Sequence, residues 1–239
     1  FFYPIIRPTE VNMYFDYYYL ILVVPALIIS SLAQIFVKSS FAKYSKKMSQ
    51  RNISGTQAAA YLLKVNGITD VKLGRIKGNL TDHFSPSEKV LRLSDSTFDS
   101  TSIAAIGVAA HETGHAIQHA KKYFPLTFRN MLVPVANIGS SAGPWLAILG
   151  IAMSFPILTD IGILLFAGSV AFYVITLPVE FNASNRAIKI LKQNNILSAE
   201  ELKGVKKVLS AAAMTYVGSA LVAMANLLRL ILVSKNRKR

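Results

Sequence analysis

Cysteine is absent from all 239 residues. That excludes a disulfide framework and any thiolate-held metal, so a metal here must be held by His, Asp or Glu. The absence also fits a reducing compartment. Acidic side chains are scarce as well: 12 Asp and Glu stand against 26 Lys and Arg, a net charge of +14. Such a balance suits a nucleic-acid binder, but no nucleic-acid recognition motif accompanies it. Lys and Arg crowd beside apolar runs instead, as in cytoplasmic loops that face anionic lipid. The expected partner of the charge is therefore a lipid bilayer and not nucleic acid.

Hydrophobic residues make up 52% of the chain and are clustered, which is the pattern of a membrane protein. Tyr17–Val37 carries no charge and has the ~20 residues needed to span hydrocarbon. Three tyrosines mark one of its interfaces, and Lys38, Lys43, Lys46 and Lys47 mark the other. Pro25 is tolerable in such a helix. Met13 is read as the natural start, and residues 1–12 are set aside from fold reasoning. Residues 131–179 hold a single charge, Asp160, and suit two spans, about Met131–Phe155 and Ile157–Val179. A last apolar stretch covers 208–233, either crossing the membrane or re-entrant.

Between these runs the chain is polar enough to be globular. Gly55–Val65 reads as a helix with Thr56 a candidate N-cap. Val71–Leu73 and Val90–Leu93 read as short strands. Ser102–His119 reads as a long helix of small residues, buried nearly all round. The expected organisation is a first membrane helix (13–37), a cytoplasmic globular domain (38–130), a membrane hairpin (131–179), a second part of the globular domain (180–207) and the last apolar segment (208–233). The fold class is a mainly α membrane protein, with about four membrane helices and a small α+β domain. Lys and Arg asymmetry puts the globular part on the cytoplasmic side of the membrane.

The chemistry concentrates in HETGH, residues 111–115, an H-E-x-x-H motif. Residues four apart on a helix differ by about 40° around the axis, so His111 and His115 point one way. Two imidazoles so placed can share one zinc at ~2.0–2.1 Å. Glu112 lies beside them and is expected as the general base toward the attacking water. The preceding run SIAAIGVAA makes a buried helix, where two His and a Glu are costly without a partner.

A catalytic zinc needs a third protein ligand and an open position. His119 and Glu180 are the two candidates. His119 stands about 80° round the helix from His111, awkward for the same ion. The metzincin pattern fails, because Gln118 and Lys121 occupy its glycine and last histidine positions. Glu180 is the first charge after the apolar hairpin, and the hairpin returns it to the side that holds the two histidines. His83, in a loop before a strand, and Tyr216 are candidate substrate or oxyanion contacts.

LTDHFSP, VLRLS, HETGHAIQH, TLPVEFNASNRA and GVKKVLSAAAMTYVGSAL occur in this order along the chain. Together they resemble the YugP-type neutral zinc metallopeptidases of bacterial membranes, from Met13 to the last span. The resemblance implies a zinc peptidase of bacterial plasma membranes, with membrane helices and a small α+β zincin-like catalytic domain formed by 38–130 and 180–207, acting on peptide or membrane-protein substrates. EFNAS is also similar to the Glu-Phe-x-Ala-Asp element of the HtpX and CAAX prenyl proteases, whose Glu is the third zinc ligand; this carries onto Glu180. Ser184 stands where those proteases have Asp, and Asn185 or Arg186 are the candidates to supply the missing support. The rival reading is a membrane protein with a structural or sensory zinc site and no proteolytic activity.

Overall fold

The structure is a computed structural model, and it describes residues 16–237. The expected start at Met13 falls outside the described residues. Among the described residues the protein is a mainly α membrane protein with one small sheet. Four helices are long and apolar enough to cross a membrane.

The first begins with a π-turn at Tyr19–Val23 that passes into α1, Val24–Ser45. Pro25 explains the irregular start. It has no N–H to give to the carbonyl four residues back, and the wider turn lets Val24 N–H reach Tyr19 O instead. Next come α2 (Gly55–Val65), β1 (Lys72–Ile76), β2 (His83–Ser85), β3 (Val90–Ser94) and α3 (Ile103–Ala120). The chain ends in α4 (Phe124–Ala152), α5 (Pro156–Gln193) and α6 (Ala199–Arg237).

Several local expectations need correction. The N-cap of α2 is Ser54, not Thr56: the Ser54 side chain accepts from Gln57 N, and Gln57 reaches back to the Ser54 backbone, a reciprocal capping box. Thr56 Oγ1 instead donates to Phe98 O. Strand β2 was not anticipated, because three residues, HFS, are too few to show an alternating pattern. The apolar stretch from 208 does not begin a separate element. It belongs to the continuous 39-residue α6, about 58 Å long at the α-helical rise.

The chain divides into two compact units, and α1, α4, α5 and α6 each contribute residues to both. Of the described residues, one unit comprises 16–31, 132–174 and 218–237. Inside it α4 and α5 approach through small residues. A Cβ on Gly139 would collide with Leu165 O, and one on Gly162 would collide with Ala147 N. Ser169 Oγ donates to Ala136 O across the pair at 3.1 Å. Small residues and hydroxyl bonds of this kind hold helices together where lipid gives no hydrophobic drive. Arg229 and Asp16 form a largely buried ion pair in the same unit.

The other unit, residues 32–131 and 175–217, contains the sheet and the HETGH helix. The sheet order is β1-β3-β2, with β1 parallel and β2 antiparallel to the central β3. Leu91 and Leu93 of β3 are fully buried. They join Leu62 and Leu63 of α2, Ile106 and Ala110 of α3, Leu191 of α5 and Val205 of α6 in one apolar core. That core fixes α3 and α5, which carry the candidate site.

Candidate metal centre

Helix α3 starts at an N-cap, Ser102, whose side chain accepts from Ala105 N. Its first two turns, IAAIGVAA, are almost wholly buried, so the motif that follows is delivered on a rigid rod. Gly114, inside HETGH, lets α5 come close: a Cβ there would stand 2.6 Å from Ala183 O. Any larger residue would push the two backbones apart. The contact sets α5 so that Glu180, one turn before Ser184, faces the histidines.

His111 Nε2 and His115 Nε2 are 3.2 Å apart. Glu180 Oε2 lies 3.3 Å from His111 Nε2 and 3.6 Å from His115 Nε2. Two ligand atoms of a tetrahedral zinc at ~2.0–2.1 Å stand about 3.3 Å apart by geometry. Glu180 Oε2 is buried and makes no hydrogen bond, an expensive arrangement without a cation to face. Donor set, spacing and orphaned oxygen therefore suit a zinc ion, and among the described residues these three are the ones that could hold a metal together. His119 is not among them. It is exposed, and its ring lies 5.8 Å from that of Phe84.

The far side of each imidazole is held as well. Arg186 Nε donates to Asn182 Oδ1 at 2.6 Å, so that oxygen is an acceptor. Gln118 Nε2 donates to it at 3.0 Å and to Val179 O at 2.8 Å. This orients the Gln118 amide with Oε1 toward His115 Nδ1, 3.0 Å away. An amide oxygen only accepts, so the proton sits on Nδ1 and the Nε2 lone pair is left for a metal. Ser184 Oγ lies 3.1 Å from His111 Nδ1. The serine thus makes the contact to the metal-facing histidine itself. Asn185 is exposed, and Arg186 acts through Asn182 and Gln118. Burial pushes the His115 imidazole toward its neutral form, yet the Glu180 and Glu112 carboxylates and Gln118 outweigh it, and its pKa lies above the ordinary value.

Glu112 is 8% exposed and faces a polar cavity of about 200 Å³. His83, at the free edge of the sheet on β2, lines this cavity, as do Tyr216 of α6 and Arg129 of α4. The His83 ring is set by Thr81 O, 3.0 Å from Nδ1. Asp82 pins the same loop by accepting from Ser94 N and Ser94 Oγ, both at 2.8 Å. Sequence reasoning missed Gln118 and Asn182 as orienting groups. The signal available was spacing: Gln118 follows His115 by three residues.

The profile of a family described as "Putative neutral zinc metallopeptidase" matches residues 19–235. The chain belongs to this family. The curated "Putative membrane protease YugP" of Bacillus subtilis (strain 168) is 43% identical over 218 residues, covering 91% of this chain and 97% of that protein. No solved structure matches the chain. The family's description implies zinc, and the His-His-Glu cluster is a set of side chains that could hold a metal ion.

Proposed function

We propose that the protein is a zinc-dependent membrane peptidase of the gluzincin type, in which His111, His115 and Glu180 hold zinc and Glu112 is the catalytic base. The observation that carries this reading is the convergence of two oriented imidazole nitrogens and one orphaned carboxylate oxygen. Zinc in such a site supplies a Lewis acid that acidifies water and polarises a carbonyl.

The chain's own residues do the rest. Glu112, one position along from His111, takes a proton from the attacking water and later delivers it to the leaving amine. Its placement at a cavity wall keeps it within reach of substrate while most of the carboxyl is shielded from bulk water. His83 and Tyr216 line the same cavity and are the candidate donors to the carbonyl oxygen as charge develops on it. The free edge of β2 supports a main-chain pairing with an extended peptide.

The Lys and Arg asymmetry of the loops supports a cytoplasmic orientation for the unit that holds the site. Peptides or membrane proteins presented at that face of a bacterial plasma membrane are the proposed substrates. The reading is tested by metal analysis of the purified protein and of His111→Ala, His115→Ala, Glu180→Ala and His119→Ala. One zinc per chain is expected in wild type and in His119→Ala, with loss in the other three. Full zinc in Glu180→Ala with loss in His119→Ala would reverse the assignment of the third ligand.

A further inference from the structure

Glu112 faces two cavities, and they differ in chemistry. The polar one holds His83, His115, Arg129, Asn130 and Glu180. The second, about 240 Å³, shares Asp82, Glu112 and Tyr216 with it and has His111 on its wall in place of His115. The remainder of its lining is mostly apolar: Val37 and Phe41 of α1, Val108 of α3, and Val208, Leu209 and Ala212 of α6.

We infer that this second cavity is a specificity pocket that seats a large aliphatic side chain of the substrate, next to the bond that is cut. The inference rests on the peptidase reading of the site. Three features support it. The cavity borders Glu112 and His111, so whatever fills it lies within about a residue of the reacting carbonyl. Its apolar wall comes from three helices, and an aliphatic group leaving water gains there. The other flank is a poorer seat for the same group, because an aliphatic side chain there would displace water from the polar groups of Asn130 and His83. The asymmetry therefore sets the direction in which a peptide lies across the site as well as the side chain it prefers. The size suits one side chain, and two of the walls, α1 and α6, are helices apolar enough to cross the membrane. Leu-rich segments of membrane-inserted peptides are the substrate class this geometry favours.

The test uses the purified full chain in detergent with zinc and matched peptides that differ at one position, Leu, Ala or Asp. Wild type is expected to cleave the Leu peptide with kcat/KM at least about tenfold above the Ala peptide, since methylenes in an apolar pocket are worth ~10-fold or more. Ala212→Phe fills the cavity and should collapse the Leu:Ala ratio toward one. Phe41→Ala enlarges it and should move the preference toward Phe, which guards against a folding defect in the first variant. In parallel, fluorescence anisotropy measures binding of the same peptides to Glu112→Gln with and without Ala212→Phe. A Leu:Ala ratio near one in wild type, or a ratio unchanged in both cavity variants, overturns the pocket. Selective Leu binding without any cleavage by wild type upholds the pocket and overturns the peptidase reading. Neither cleavage nor selective binding overturns both.

Discussion

Gln118 ties His115 to the residue before Glu180: its Oε1 lies 3.0 Å from His115 Nδ1 while its Nε2 donates to Val179 O at 2.8 Å. One buried amide therefore fixes the tautomer of a histidine on α3 and the local position of a carboxylate on α5. Replacing Gln118 with Ala should lower zinc affinity by about 10–100-fold, the usual range for losing such a partner. Ser184→Ala should act similarly through His111. Competition against a zinc chelator of known affinity measures both, and wild-type affinity in both variants would remove these residues from the account.

The same logic extends one bond further out. Arg186 fixes the acceptor role of Asn182 Oδ1, which in turn orients Gln118. Arg186→Met should weaken zinc binding less than Gln118→Ala, because it acts through two intermediates. Asn182→Asp preserves an acceptor and should rescue more affinity than Asn182→Ala. The reverse order by the same chelator titration would show that the relay does not orient His115.

Much of this site was legible in sequence because its parts are local. HETGH is five residues, the helix around it follows from small apolar residues, and Glu180 follows from the return of an apolar hairpin. The relay was not legible. Which atom of Gln118 faces His115 depends on the approach of α3 and α5, which Gly114 permits and no spacing reveals. Helix lengths were also misjudged, for a physical reason. Hydropathy falls after Val179, but Ala, Lys, Leu and Ile continue to favour helix, so α5 runs on to Gln193. Apolarity marks where a bilayer lies and not where a helix ends.

Gly114→Ala tests the close approach directly. With Ala183 O only 2.6 Å from the added carbon, α5 must shift, and overpacking of this kind costs about 1–3 kcal/mol. Thermal unfolding in detergent should show reduced stability, together with weaker zinc binding because Glu180 moves with α5. Unchanged stability and affinity would mean that the backbones yield freely there.

Acidification should release zinc. A proton on His115 competes with metal, and its pKa lies above the ordinary imidazole value. Loss should thus begin at a higher pH than for an unperturbed histidine near ~6.5. Without metal the sign is opposite: the raised pKa makes protonated His115 stabilising at low pH, and that contribution fades as pH rises through the folded value. Zinc retained after dialysis across about pH 5 to 8 is the readout, and flat retention to the acid end would contradict this.

Orientation can be read chemically because the chain has no cysteine. Ser87→Cys, between β2 and β3, should stay unlabelled by an impermeant maleimide in intact cells and react after the membrane is opened. Labelling of intact cells would put the site on the outer face.

Glu112→Gln, compared with wild type for zinc content and peptide cleavage in one preparation, tests the central claim most directly. Gln keeps the size of Glu but cannot take a proton from water at neutral pH. The account predicts one zinc per chain in both proteins and turnover reduced by at least ~10²–10⁴-fold in the variant. Wild-type turnover by zinc-loaded Glu112→Gln would contradict it.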